Sequence, residues 1–304
     1  MRSLTILNPA AGRGRAAAVW ERLRRQLEER GESPRVHVTA ARGEAGPVAR
    51  AALEGGVGRI FVVGGDGTFN EVLNGYFFTD GAPVNPAAVL VAVAAGTGCD
   101  LVRSLDSCPA AEGFIRMDVG RLSCVGAGGE AVVRYFANVA SCGQSARVAE
   151  TVARMPRWFG GSAAYLFAIL KSLRGYQPPL VELTIDAGPG LPQVARCIAV
   201  ANGRAFGGGL TIAPQARLDS GRLDLAVLGA ASPGWLLRNV RRIYRGEHEQ
   251  LAHLKHTSIR TLSITSNACV AIEADGEPAG QLPARFEILA GSVRVALPDH
   301  LLIG

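Results

Sequence analysis

The sequence predicts an α/β, doubly wound domain over residues 1–124 followed by an all-β domain over 125–297. Three observations predict it. Apolar strands alternate with amphipathic helical stretches through the first part, the pattern of a parallel sheet covered on both faces. Several of those strands run straight into glycine-rich loops, and open α/β sheets bind ligands at the carboxyl ends of their strands. From Gly120 onward, short strand-like runs are separated by Gly, Pro, Asn and Asp, as in antiparallel β structure.

In chain order the first part reads strand 3–7, helix 16–30, strand 35–39, helix 46–53, strand 59–63, helix 69–75 and strand 88–93. The third strand, Arg59-Ile60-Phe61-Val62-Val63, is short, β-branched and aromatic, as a doubly covered strand requires. Phe69, Val72 and Leu73 then resume at helical spacing. The second part offers strands at 132–139, 181–185, 196–201, 223–228, 261–266, 270–273, 285–289 and 292–296, with helical insertions near 145–175 and 233–245. Its clearest loop is 186–192.

The helix at 233–245 has a start and a stop: Ser232 as N-cap, Pro233 in the first turn and Gly246 past the end. Leu236, Leu237, Val240, Ile243 and Tyr244 form one stripe, and Arg238, Arg241, Arg242 and Arg245 another. That suits either a helix packed on the sheet with a wet basic face or a patch for anionic lipid. The apolar stretch 155–171 reads either as core or as the lining of an apolar pocket.

The net charge of +6 attracts anionic partners in general, but no helix-turn-helix, zinc-finger or RNP-like pattern supports nucleic acid. No apolar run reaches the length of a membrane span, and Asn8-Pro9 comes too early for a signal peptide, so a cytoplasmic chain is expected. The six cysteines are scattered without a C-x-x-C pair and read as reduced thiols. His248 and His253 flank Glu249 but stand five apart, which misses the one-face spacing of a zinc helix. No G-x-S-x-G and no Gly-Lys-Ser/Thr occur, which removes support for a hydrolase elbow and for a Walker A loop.

Three strand ends carry the loop chemistry. Gly12-Arg13-Gly14-Arg15-Ala16-Ala17 contains G-x-G-x-x-A, yet its glycines follow Asn8-Pro9 well past the strand, and Val38-Thr39-Ala40 offers no acid for a ribose. Val63-Gly64-Gly65-Asp66-Gly67-Thr68-Phe69 is more specific: glycines let backbone N–H groups approach a ligand, and the helix start behind them favours an anion, phosphate above all. An aspartate among those glycines is costly unless it meets a cation or strong donors, so Asp66 is expected to hold Mg²⁺ or orient phosphates. Ala95-Gly96-Thr97-Gly98-Cys99-Asp100 repeats the strand, turn and helix order, with Asp100 as a first-turn acid.

Together with Gly207-Gly208-Gly209-Leu210-Thr211-Ile212-Ala213-Pro214 and Asp275-Gly276-Glu277-Pro278, these motifs stand in the order seen in the diacylglycerol kinase catalytic-domain family, which the chain resembles over nearly its whole length. That family includes bacterial diacylglycerol and lipid kinases, sphingosine kinases and ceramide kinases. The resemblance implies a β-sandwich as the second domain, a nucleotide site in the cleft, and a return of about 298–304 to the first domain. It implies an ATP- and Mg²⁺-dependent kinase acting on a hydroxyl of a diacylglycerol- or sphingoid-like membrane lipid, cytoplasmic and peripheral at an anionic membrane surface, with a homodimer left open.

By position, Asn8, Gly12, Thr39, Gly64, Gly65, Asp66, Gly67, Thr68, Asn70, Glu71, Gly96 and Thr97 look like the ATP contacts, and Asp66 with Asp100 the residues that organise Mg²⁺. Asp275 looks like the family's general base, with Glu277 as a second acid beside it, although Asp-Gly is also an ordinary hairpin turn. Two departures stand out. Cys99 occupies the place where the family usually has Asn before Asp, and Ser220 follows Asp219 where bacterial members carry Asp-Asp-Gly with a structural Mg²⁺. The alternatives are a soluble-acceptor kinase of the NAD kinase or phosphofructokinase type, which shares the GGDG loop, and a non-catalytic lipid- or nucleotide-binding homologue.

Overall fold

The computed structural model describes residues 2–96, 98–105, 108, 113–153, 155, 167–169, 171–172, 175–206, 209–248 and 251–299. β1 (Ser3–Leu7), β2 (Arg35–Val38), β3 (Arg59–Gly64) and β4 (Val89–Ala94) pair in parallel in the order β2-β1-β3-β4. The two-residue period of β3 sorts its side chains between two cores. Ile60 and Val62 join Ile6 beneath α2 (Ala45–Glu54) and α3 (Asp66–Tyr76), while Phe61 and Val63 pack with Trp20, Leu23 and Leu27 of α1 (Ala16–Glu28). The sheet is therefore covered on both faces, as expected of a doubly wound domain.

The second part closes around Leu122, Phe136, Ile198, Leu225, Leu262 and Phe286 as a β-sandwich. Its strands are β5 (Ile115–Val125), β6 (Ala131–Phe136), β7 (Val139–Gly143), β8 (Leu180–Ile185), β9 (Gly190–Val194), β10 (Cys197–Ala201), β11 (Leu223–Leu228), β12 (Leu254–Ile259), β13 (Thr261–Thr265), β14 (Ala271–Ala274) and β15 (Glu277–Ala296). Helices α4 (Asp100–Leu105), α5 (Gln144–Ala153) and α6 (Pro233–Tyr244) and a short 3₁₀ helix, Ala11–Gly14, complete the described elements.

β15 joins the two parts. It pairs antiparallel with β14, β13 and β5, and its last residues, Arg294 to Ala296, lie parallel beside Val89 to Val91 of β4. The runs expected at 285–289 and 292–296 are thus parts of one strand, with irregularities at Gln281/Arg285 and Leu289/Val293. The first-domain sheet receives its last strand here; residues 300–304 of the expected return lie outside the described residues. The boundary expected near residue 124 falls at the end of β5, whose whole length pairs with β15.

Three other expectations change. α3 starts at Asp66 and not at Phe69, because Gly65 is an extended N-cap and the Phe69 N–H already closes the first turn on the Gly65 carbonyl at 3.1 Å. The run 132–139 divides into β6 and β7, where the amides of Ala137 and Asn138 leave the ladder for the Asp275 carboxylate. The loop 186–192 enters a hairpin whose return strand, β9, contains Pro192. Much of 155–171 lies outside the described residues.

Candidate active site

The loops after β1, β3 and β4 are stitched together at the carboxyl edge of the parallel sheet. Asn8 Nδ2 donates to Thr68 Oγ1 at 2.9 Å, and Asn8 Oδ1 accepts from the Ala10 amide at 3.1 Å, tying the first loop to the first turn of α3. Gly12 has φ +59, and a Cβ there would stand 1.9 Å from the Ala95 carbonyl oxygen. A Cβ on Gly96 would stand 2.7 Å from the Gly65 Cα. These two glycines let the loops pack on one another. Gly67 is different, for its nearest neighbour would be Glu277 Oε1 at 3.8 Å, and it borders open space. Among the described residues no side chain caps the amides of the first turn of α3, which leaves them for an anion.

A cavity of about 480 Å³ lies over these loops. Asn8, Gly12, Thr39, Gly65, Asp66, Gly67, Thr68, Glu71 and Gly96 all line it, as does Glu277 from the second part. Gly64 and Asn70 do not, and Thr97 lies outside the described residues. Thr39 is held by its amide and hydroxyl on the Leu7 carbonyl, at 2.9 and 3.4 Å. Glu71 accepts from the amides of Gly43 and Ala45 at 2.9 and 3.1 Å, fixing the loop after β2. A second cavity of about 650 Å³ adjoins the first through Arg42, Glu71 and Glu277, and reaches Asn70, Asn74, Arg134 and Pro278.

The acids divide by what holds them. Asp66 accepts from the amides of Asp100 and Leu101 at 3.2 and 3.1 Å, so it caps α4 while also facing the first cavity. Burial pushes its carboxyl up, and the charges of Asp100 and Asp275 add to that. Asp100 is buried with one oxygen on Arg103 Nη1 at 3.0 Å and does not line the cavity. Among the described residues no group of three or more His, Cys, Asp or Glu side chains could hold a metal by itself. Asp66, which faces the cavity, fits a cation that arrives with phosphate oxygens as its other ligands, as Mg²⁺ commonly does; Asp100, expected beside it, does not line the cavity and gives one oxygen to Arg103.

Asp275 sits in the left-handed region, φ +49, in the turn between β14 and β15. Its carboxylate accepts from the amides of Ala137, Asn138 and Val139 at 2.7, 2.9 and 3.1 Å and from Asn70 Nδ2 at 2.8 Å. Burial pushes this carboxyl up against the pull of those donors. Each oxygen thus has two donors, and Asp275 lines neither cavity. Glu277 lines both and is paired with Arg42. Asn70 and Asn74 both donate to the Tyr135 carbonyl, at 3.0 and 2.9 Å, sewing α3 to β6.

Sequence reasoning missed Arg42 and Glu273. Arg42 carries a weak signal, standing three residues past the end of a parallel strand, where ligand loops occur. Glu273 is 1 % exposed, accepts from Ser141 Oγ and from the Gly276 amide, and is pushed up to about 7, chiefly by burial. Cys99, with φ +51, turns its thiol to the Gly96 carbonyl at 3.4 Å and does not line the first cavity.

Residues 2–121 match the diacylglycerol kinase catalytic domain, and residues 138–297 match the YegS C-terminal NAD kinase beta sandwich-like domain. A curated relative from Bacillus subtilis (strain 168), named diacylglycerol kinase, is 27% identical over 309 residues, covering 98% of this chain and 97% of that protein. One of the same name from Mycobacterium tuberculosis (strain ATCC 25618 / H37Rv) is 28% identical over 308 residues, covering 97% and 94%. Among solved structures, a diacylglycerol kinase from Bacillus anthracis str. Sterne shares the fold with TM-score 0.67 at 19% identity, over 97% of this chain and 96% of that one.

Proposed function

Because the chain belongs to the diacylglycerol kinase catalytic-domain family, kinases that act on a lipid, we propose that it moves the γ-phosphoryl group of ATP to a hydroxyl of a diacylglycerol- or sphingoid-like membrane lipid, with Mg²⁺. The observation that carries this reading is Glu277. Its carboxylate stands over Gly67 in the phosphate loop and forms part of the wall shared by the two cavities. The triphosphate occupies the first cavity against the amides of α3, and the acceptor approaches through the second.

The acceptor oxygen attacks the γ-phosphorus, the bond to the bridging oxygen breaks with its electron pair leaving on ADP, and the hydroxyl proton passes to Glu277. Mg²⁺ neutralises phosphate charge when bound, and Asp66 is the residue that would hold it. Asp275, the base expected from the resemblance, acts instead as a positioning residue, since its oxygens are already met by four donors. Asn8, Gly12, Thr39, Thr68 and Gly96 shape the nucleotide cavity.

The test incubates the purified protein with labelled ATP and Mg²⁺, with an extracted lipid mixture in one arm and NAD or sugar phosphates in the other. Label in lipid is expected; label only in the soluble acceptors would overturn the reading. Glu277→Gln should then lower turnover by about 10²–10⁴-fold, the usual contribution of a positioned base. Asp275→Asn reverses the assignment of roles if it alone removes turnover in a folded protein while Glu277→Gln does not.

A further inference from the structure

The loop between β2 and α2 is braced along its length. Glu44 accepts from the amides of Ala40 and Ala41 at 2.7 and 3.2 Å and is paired with His37, while Glu71 accepts from Gly43 and Ala45. From this rigid frame one long side chain projects, that of Arg42, 59% exposed. It reaches the wall shared by the two cavities, and its partner there is Glu277, 39% exposed. An ion pair so open to water contributes little and is easily exchanged. A guanidinium also finds a better partner in a phosphate, which it can grip through two parallel N–H donors.

We propose that Arg42 is a catalytic residue that exchanges Glu277 for the γ-phosphoryl group when ATP binds, so that arrival of the nucleotide frees the carboxylate that takes the acceptor's proton. In the nucleotide-free protein Arg42 neutralises Glu277. With ATP present it turns within the same wall to the transferring group, where an arginine supplied in cis stabilises the charge of the transition state. The bonds made and broken are those of the transfer above; Arg42 gives up no proton. This rests on the reading of the site as a kinase site, but its decisive arms need no lipid.

The experiment is a calorimetric titration of ATP and of ADP, in Mg²⁺ buffer, into the full chain and its Arg42→Ala, Arg42→Lys, Glu277→Gln and doubly substituted Arg42→Ala/Glu277→Gln forms. Arg42→Ala should weaken ATP by about tenfold or more, as loss of a charge-assisted contact does, while ADP changes little. Arg42→Lys should recover part of the loss. Glu277→Gln, by releasing Arg42 beforehand, should tighten ATP several-fold, and that gain should vanish in the double substitution. Equal effects of Arg42→Ala on ATP and ADP, or a Glu277→Gln form that binds ATP no more tightly, would overturn the proposal. If these arms behave as expected yet no lipid is labelled, the acceptor is wrong and the exchange stands.

Discussion

Glu273 shows what a single buried acid does to the whole chain. Its folded-state value of about 7 lies above its ordinary 4.5, so between those values the folded chain holds a proton that the unfolded chain releases. Its contribution is fully present below 4.5 and is lost as the pH rises through about 7. Relative to Glu273→Gln, the wild type should therefore lose melting temperature across that interval, and parallel curves for the two proteins would show that Glu273 is not the group responsible. Glu273 was not legible in the sequence, and Arg42 only faintly, by its place in a loop after a parallel strand. Glu273 looked like any acid at a strand end, since only the fold brings Ser141 and Gly276 to it. Asp66, Thr68 and Gly67 were legible because strand, glycine and helix follow one another without interruption, and the role of Asp66 in capping α4 was not, because that contact joins residues more than thirty apart.

The helices and strands that were read correctly are those whose pattern is local. α6 begins where Ser232 and Pro233 indicate, with Ser232 Oγ accepting the Trp235 amide at 3.2 Å. Its apolar stripe, however, is only partly covered: Asn239 is its buried residue, and Leu237 is 51% exposed beside exposed Arg238, Arg241 and Arg242. A partly covered apolar stripe flanked by arginines suits an element that lies on an anionic lipid surface. Changing Arg238, Arg241, Arg242 and Arg245 together to Gln should weaken binding to phosphatidylserine-containing vesicles by up to about 4 kcal/mol at low salt, and by less as salt screens the charges; unchanged binding would leave α6 a packing helix. β9 and β12 were missed for a shared reason. Pro192 interrupts one, and the polar Lys-His-Thr-Ser centre of the other carries no apolar alternation, so both owe their form to neighbouring strands.

At the scale of the molecule, the two architectures were legible from the change of texture near Gly120, but not their fusion through β15, because a strand that switches partners along its length leaves no periodic mark. That shared strand should make unfolding a single event. Single-tryptophan forms that keep Trp20 in the first part or Trp235 on α6 should give coincident urea transitions, and separated midpoints would mean that β15 does not couple the parts. The layout also sets the order in which the chain can be completed on the ribosome. β4 is covered on one edge by β3 as soon as both have emerged, but its other edge waits for Arg294 to Ala296, which follow every other strand of the sandwich. Throughout synthesis of the sandwich, the first part carries an open apolar strand edge, a template for mispairing between nascent chains. A chaperone that shelters Val89 to Ala94 until β15 has emerged would thus decide yield without altering the folded protein.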